Sequence, residues 1–128
     1  MKSYILDTNV YLSFFTSRDK SQYEIALGYI NKLQDQKIKI NLPELIIAEI
    51  IYILHDHYNF ERQKITEALQ SLIAEENLIV GKKEVVLSSL DYFESTKLDF
   101  ADCFILALSE AENCELVSFD KKLRSKVK

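Results

Sequence analysis

Apolar positions along the chain fall into two kinds of pattern. Four short runs have strand character: SYIL at 3–6, the alternating KIKINL at 37–42, NLIV at 77–80 and ELVSF at 115–119. Longer stretches between them repeat apolar residues at helical spacing. VYLSFF opens a helix after Asp7-Thr8-Asn9 that fades near Ser17-Arg18-Asp19. Residues 21–35 carry Ile25, Leu27, Tyr29, Ile30 and Leu33. Pro43-Glu44 starts a helix through LIIAEIIYILHDHY, because proline suits a first helical turn. Further helices are predicted over 60–75, over KEVVLSSLDYFEST, and over the segment that opens at Asp99. The order β-α-α-β-α-α-β-α-α-β predicts an α/β fold, a three-layer α/β/α arrangement around a parallel sheet.

Composition narrows this reading without changing it. A length of 128 residues suits one domain, 1–128, with enough core to fold without disulfides or structural zinc. Only two glycines and one proline occur, which disfavours a turn-rich β-sandwich. No signal peptide is visible, since Asp7 interrupts the first apolar run. LIIAEIIYIL at 45–54 contains Glu49 and is too short to span a bilayer, so no membrane association and a cytoplasmic location are expected. Cys103 and Cys114 lack ligand spacing and lie among apolar residues, so both are expected to be buried free thiols. The net charge of −4 does not advertise a nucleic-acid binder. The last eight residues, KKLRSKVK, nevertheless hold five of the sixteen basic residues and no acid. They read equally as a solvated tail or as a phosphate-contacting one.

The candidate chemistry lies in acids at element boundaries. Asp7 follows strand one and Asp120 follows strand four. Parallel α/β sheets gather function at the carboxyl ends of their strands, yet each of these acids also reads as a turn or cap residue. Glu49 sits among Ile46, Ile47, Ala48, Ile50 and Ile51, where an unpaired buried acid is costly. It faces a narrow solvent stripe, pairs with a lysine, or points into a polar cleft. In DFADCFILALSEA, at 99–111, Asp99 occupies an N-cap position and Asp102 the third helical position, where a second cap is not needed. Two carboxylates about 4 Å apart repel by roughly 4 kcal/mol at an effective dielectric near 20. Convergence of Asp7, Glu49, Asp102 and Asp120 would therefore call for a cation. Oxygen ligands without cysteine or histidine suit Mg²⁺ or Mn²⁺, which activate water for phosphodiester displacement.

ILDTNV, PELIIAEIIYIL, DFADCFILALSEA and LVSFDKKL, in this order, resemble the PIN domain, and most closely the VapC-type toxins of toxin–antitoxin pairs. The resemblance covers nearly the whole chain. It implies a metal-dependent endoribonuclease acting on RNA, the toxin of a type II pair, usually dimeric and inhibited by a cognate antitoxin protein. By position it assigns metal and catalytic roles to Asp7, Glu49, Asp102 and Asp120. Asn9 would orient Asp7 or a ligand water. Thr8 and Ser118 match small hydroxyl positions, and Asp99 matches a less constant acid. Ser118 stands where threonine is more usual. The family adds a short fifth strand, giving four to five in all, and only KKLRSKVK remains here to supply it.

Rival classes fit less well. A haloacid-dehalogenase phosphatase needs a second aspartate where Asn9 stands, and a receiver domain needs paired acids where Ile5-Leu6 stand. His55 and His57 point about 200° apart on a helix, which disfavours a zinc pair. The remaining alternative is a non-catalytic PIN-like module that binds RNA or a partner. A pure binder has no use for a repulsive acid set.

Overall fold

A computed structural model describes residues 1–128. It divides into two compact units, Met1–Gly81 and Lys82–Lys128.

The first unit holds the sheet. β1 (Ser3–Ile5), β2 (Lys39–Asn41) and β3 (Leu78–Ile79) are parallel in the order β1-β2-β3. Tyr4 pairs with Ile40, and Ile40 with Leu78. Each crossover carries two helices: α1 (Thr8–Thr16) and α2 (Lys20–Gln34), then α3 (Glu44–Tyr52) and α4 (Arg62–Ile73). α1 packs on α2 and α3, and α4 on β3. Buried Ile40, Leu42, Ile47, Ile50, Ile51, Leu54, Ile65 and Leu69 form the apolar centre. Their burial removes apolar surface from water, the main favourable contribution to folding.

Local signals set the helix ends. Asp19 caps α2 by accepting from the Gln22 N–H at 2.9 Å. Ser17 ends α1 in the left-handed conformation, its N–H donating to the Ser13 carbonyl. α2 buries Ala26, Ile30 and Leu33, so Ile25, placed on the apolar stripe by periodicity, lies 63% exposed. Gly81 follows β3, where a Cβ would stand 2.7 Å from Glu44 Oε1, so a larger residue there would require the flexible Glu44 side chain to shift.

The long helix expected over 45–58 is interrupted. After α3 the backbone widens into a π turn, Ile53–His57, that packs on α4. The Tyr58 N–H reaches back five residues to the Ile53 carbonyl at 3.2 Å. Tyr11, fully buried on α1, leaves its hydroxyl without a hydrogen-bond partner, and burial pushes its pKa up. Tyr11→Phe removes that unpaired group. It should raise stability by about 1 kcal/mol in urea unfolding; a loss of similar size would mean the hydroxyl has a partner in solution.

The second unit is helical. α5 (Lys83–Ser95) and α6 (Phe100–Ala111) pack as a hairpin, and α7 (Lys121–Arg124) follows. Phe93 and Phe100 meet edge to face, their ring centroids 6.4 Å apart. The Tyr92 hydroxyl donates to Glu110, tying α5 to α6. Lys82 pairs with Glu112 at 2.9 Å, an exposed contact worth little by itself.

Two expectations are corrected. ELVSF at 115–119 forms no strand, so the sheet has three strands rather than four or five. Val117 is 85% and Phe119 fully exposed, and Leu116 is only partly buried, so no residue of the run joins the core. A strand is completed by another strand's backbone, which local alternation does not specify. The tail supplies no fifth strand; its first four residues form α7, which Asp120 caps. Cys114 is exposed, not buried: it lies past the end of α6, in a segment whose apolar neighbours stay outside the core, whereas Cys103 is buried.

Candidate active site

Asp7 follows buried Leu6 at the carboxyl end of β1 and precedes α1. Its carbonyl accepts from the Val10 N–H at 2.9 Å, yet its carboxylate makes no capping bond. The cap explanation of this acid therefore fails. The carboxylate stays free beside the positive end of the α1 dipole. Thr8 is buried, and Asn9 is exposed beside a cleft of about 470 Å³. Glu49 is exposed on α3, on a stripe shared with Leu45 (83% exposed) and Tyr52 (58%). Of the three placements open for it from sequence, the solvent stripe is the one observed. Its acidity thus carries no burial cost.

The acids of the second unit divide by role. Asp99 caps α6, its Oδ1 accepting from the Asp102 N–H at 2.9 Å. Asp120 caps α7, accepting from the Leu123 N–H at 3.1 Å. The Ser118 hydroxyl accepts from the Asp120 N–H at 3.0 Å and fixes the turn into that cap. Each cap engages one carboxylate oxygen. Asp102, half-buried in the first turn of α6, caps nothing. Partial burial raises its pKa first, and the charges of Asp99 and then Asp120 raise it further. Asp102 therefore feels both neighbouring carboxylates. Within neither unit do three or more His, Cys, Asp or Glu side chains gather closely enough to hold one metal ion.

Capping and charge can be separated at Asp99. Asp99→Asn keeps an acceptor for the Asp102 N–H and removes one repelling charge, so it should melt at or above the parent temperature. Asp99→Ala loses the cap and should cost about 1 kcal/mol. Equal melting temperatures for the two variants would remove capping as the role of Asp99.

Residues 4–128 match the family model of the PIN domain. The chain belongs to the PIN-domain family. A VapC ribonuclease from Aquifex aeolicus (strain VF5) is 26% identical over 121 residues, which cover 94% of this chain and 89% of that protein. No helix is long and apolar enough to cross a membrane.

Motif comparison with the PIN family points at acids and passes over the cleft that Asn9 shares. There Arg18, between α1 and α2, meets Tyr58, which follows the π turn. The Arg18 guanidinium lies 5.3 Å from the Tyr58 ring centroid and donates to the Tyr58 hydroxyl. Forty residues separate the two in sequence, and only the basic character of Arg18 was legible there.

Proposed function

We propose that this PIN-domain chain is an endoribonuclease dependent on a divalent cation, Mg²⁺ or Mn²⁺, and the toxin of a type II toxin–antitoxin pair. The observation that carries the proposal is Asp102: a carboxylate no cap requires, partly buried and facing the charges of Asp99 and Asp120, in a chain that matches the PIN family from 4 to 128. The VapC ribonuclease relative supports the toxin assignment. The match across both compact units supports their working as one domain, with helices layered on the sheet as α/β/α.

The donor chemistry suits a hard cation. Asp7, Glu49, Asp102 and Asp120 offer only oxygens, and Asp102 is disfavoured as an anion first by partial burial and then by the charges of Asp99 and Asp120, both of which a bound cation would offset. When bound, the ion supplies Lewis-acid polarisation of the scissile phosphate and a more acidic water. In this proposal Asp7, Asp102 and Asp120 hold the ion and Glu49 positions it or its water. Asn9 orients Asp7, while Thr8 and Ser118 shape the turns that carry the acids. Asp99 supports Asp102 through the α6 cap. Lys121, Lys122 and Arg124 bind RNA phosphates, which their exposure permits. A cognate antitoxin, a homodimer and a cytoplasmic location complete the reading.

The test is cleavage of a mixed RNA pool by purified protein, with Mg²⁺ or Mn²⁺ and then with chelator. Cutting that the chelator stops is the expected result. A folded protein that cuts no RNA with either metal would favour the alternative of a non-catalytic binding module.

A further inference from the structure

We propose that Arg18 is an RNA-binding residue, held by Tyr58, in a subsite for one nucleotide beside the cleaved bond. This rests on the ribonuclease reading above and names a contact that reading lacks. The cleft of about 470 Å³ falls within the range of small-ligand sites, roughly 300–1,000 Å³. Asn9 borders it at one place and Arg18 at another. The two residues therefore link the assigned acid motif to a cation that the motif does not include.

The cation is held for use. Tyr58 engages Arg18 through both its ring and its hydroxyl. Tyr58 is itself braced by Phe60, ring centroids 6.3 Å apart, and its backbone is set by the π turn and by Asn59 at φ 57°. A guanidinium carries five N–H donors in a planar fork, and one bond to a tyrosine hydroxyl leaves most of them for a phosphate. Fixing the side chain in advance removes ordering entropy from RNA binding. The neighbouring acid does not claim the cation: Asp19 accepts instead from the Gln22 N–H and, at 2.8 Å, from the Ser21 hydroxyl. Ser13 donates to Gln22 Oε1 at 3.3 Å, which leaves the Gln22 amide N–H groups, with the Asn9 amide, to meet base edges or ribose hydroxyls.

The test measures binding without cleavage: fluorescence anisotropy of labelled single-stranded RNA with the full chain in chelator, over a range of salt. Arg18→Ala should weaken binding about tenfold and reduce the salt slope by about 0.7, the loss of one phosphate contact. Arg18→Lys should keep the slope and recover part of the affinity, since charge remains without the fork. Tyr58→Ala should weaken binding while leaving the slope in place, which marks it as a positioning residue. Lys32→Ala is the control, because Lys32 also lies over an aromatic ring, that of Tyr29 at 5.9 Å, outside this cleft. Parental affinity in both Arg18→Ala and Tyr58→Ala, an equal loss in Lys32→Ala, or no RNA binding by the parent would each overturn the proposal. Binding that depends on Arg18 in a protein that never cuts would keep the subsite and remove the nuclease. Cleavage with unchanged KM in Arg18→Ala would do the reverse.

Discussion

Asp102→Asn will lower metal-dependent RNA cleavage by at least about 100-fold and leave a folded protein of equal or greater stability. The activity loss follows from the proposed role, since a ligand carboxylate exchanged for a neutral amide surrenders both charge and affinity for the ion. The stability effect follows from geometry already described. Asp102 is half-buried, forms no cap and feels Asp99 and Asp120, so its charged form is disfavoured in the folded state.

The sign of the pH effect follows directly. A carboxyl with a raised folded-state pKa binds more protons folded than unfolded in the interval between the two pKa values. Its contribution to stability is fully present below the unfolded pKa and is lost as pH rises through the folded one. In the parent, stability should therefore decline across the interval just above the ordinary carboxylate range, and Asp102→Asn should flatten that decline. Added Mg²⁺ or Mn²⁺ should raise the parent's melting temperature more than the variant's. A variant that cuts RNA at the parental rate ends the assignment of Asp102. One that melts far below the parent shows that Asp102 instead stabilises α6.

Phe93→Ala will have the largest effect on stability, a loss of about 3–5 kcal/mol. Phe93 is 1% exposed and packs edge to face on Phe100, the first residue of α6. Its removal leaves a void at the seam of the α5–α6 hairpin, where the edge-to-face contact is also lost. Against a typical total of 5–15 kcal/mol this is a large fraction. The melting temperature should fall by roughly 10–20 °C. Because α6 carries Asp99 and Asp102, cleavage should fail at temperatures where the parent still cuts. Phe93→Leu keeps most of the volume and should lose clearly less. A melting temperature within about 3 °C of the parent for Phe93→Ala would show that the hairpin closes around the void.

Most helices of this chain were legible because their signals are local. The Asp99 cap on α6 and the Asp19 cap on α2 involve residues three positions apart. The sheet was legible in part: β1, β2 and β3 lie within the short runs of strand character, each shortened by one residue or more. At 115–119 the same kind of signal misled, because nothing in LVSF specifies a partner strand. The four acids were found by motif, but their environments were not. Glu49 suggested a buried charge because its sequence neighbours are isoleucines, whereas helical geometry turns it to the side that Leu45 and Tyr52 leave open. Cys114 misled for the same reason, since apolar neighbours in sequence do not make a core.

By itself, then, the sequence determined the alternation of strands and helices as far as β3, the Asp99 cap and the identity of the acids, which follow from contacts within a few residues. Tertiary structure decided how many strands share the sheet and which acids face solvent or are partly buried. It also decided that Arg18 meets Tyr58 across forty residues. These outcomes depend on which distant backbone or side chain arrives at a given place. That is set by the burial of the whole core, to which every apolar residue contributes and which no single stretch encodes.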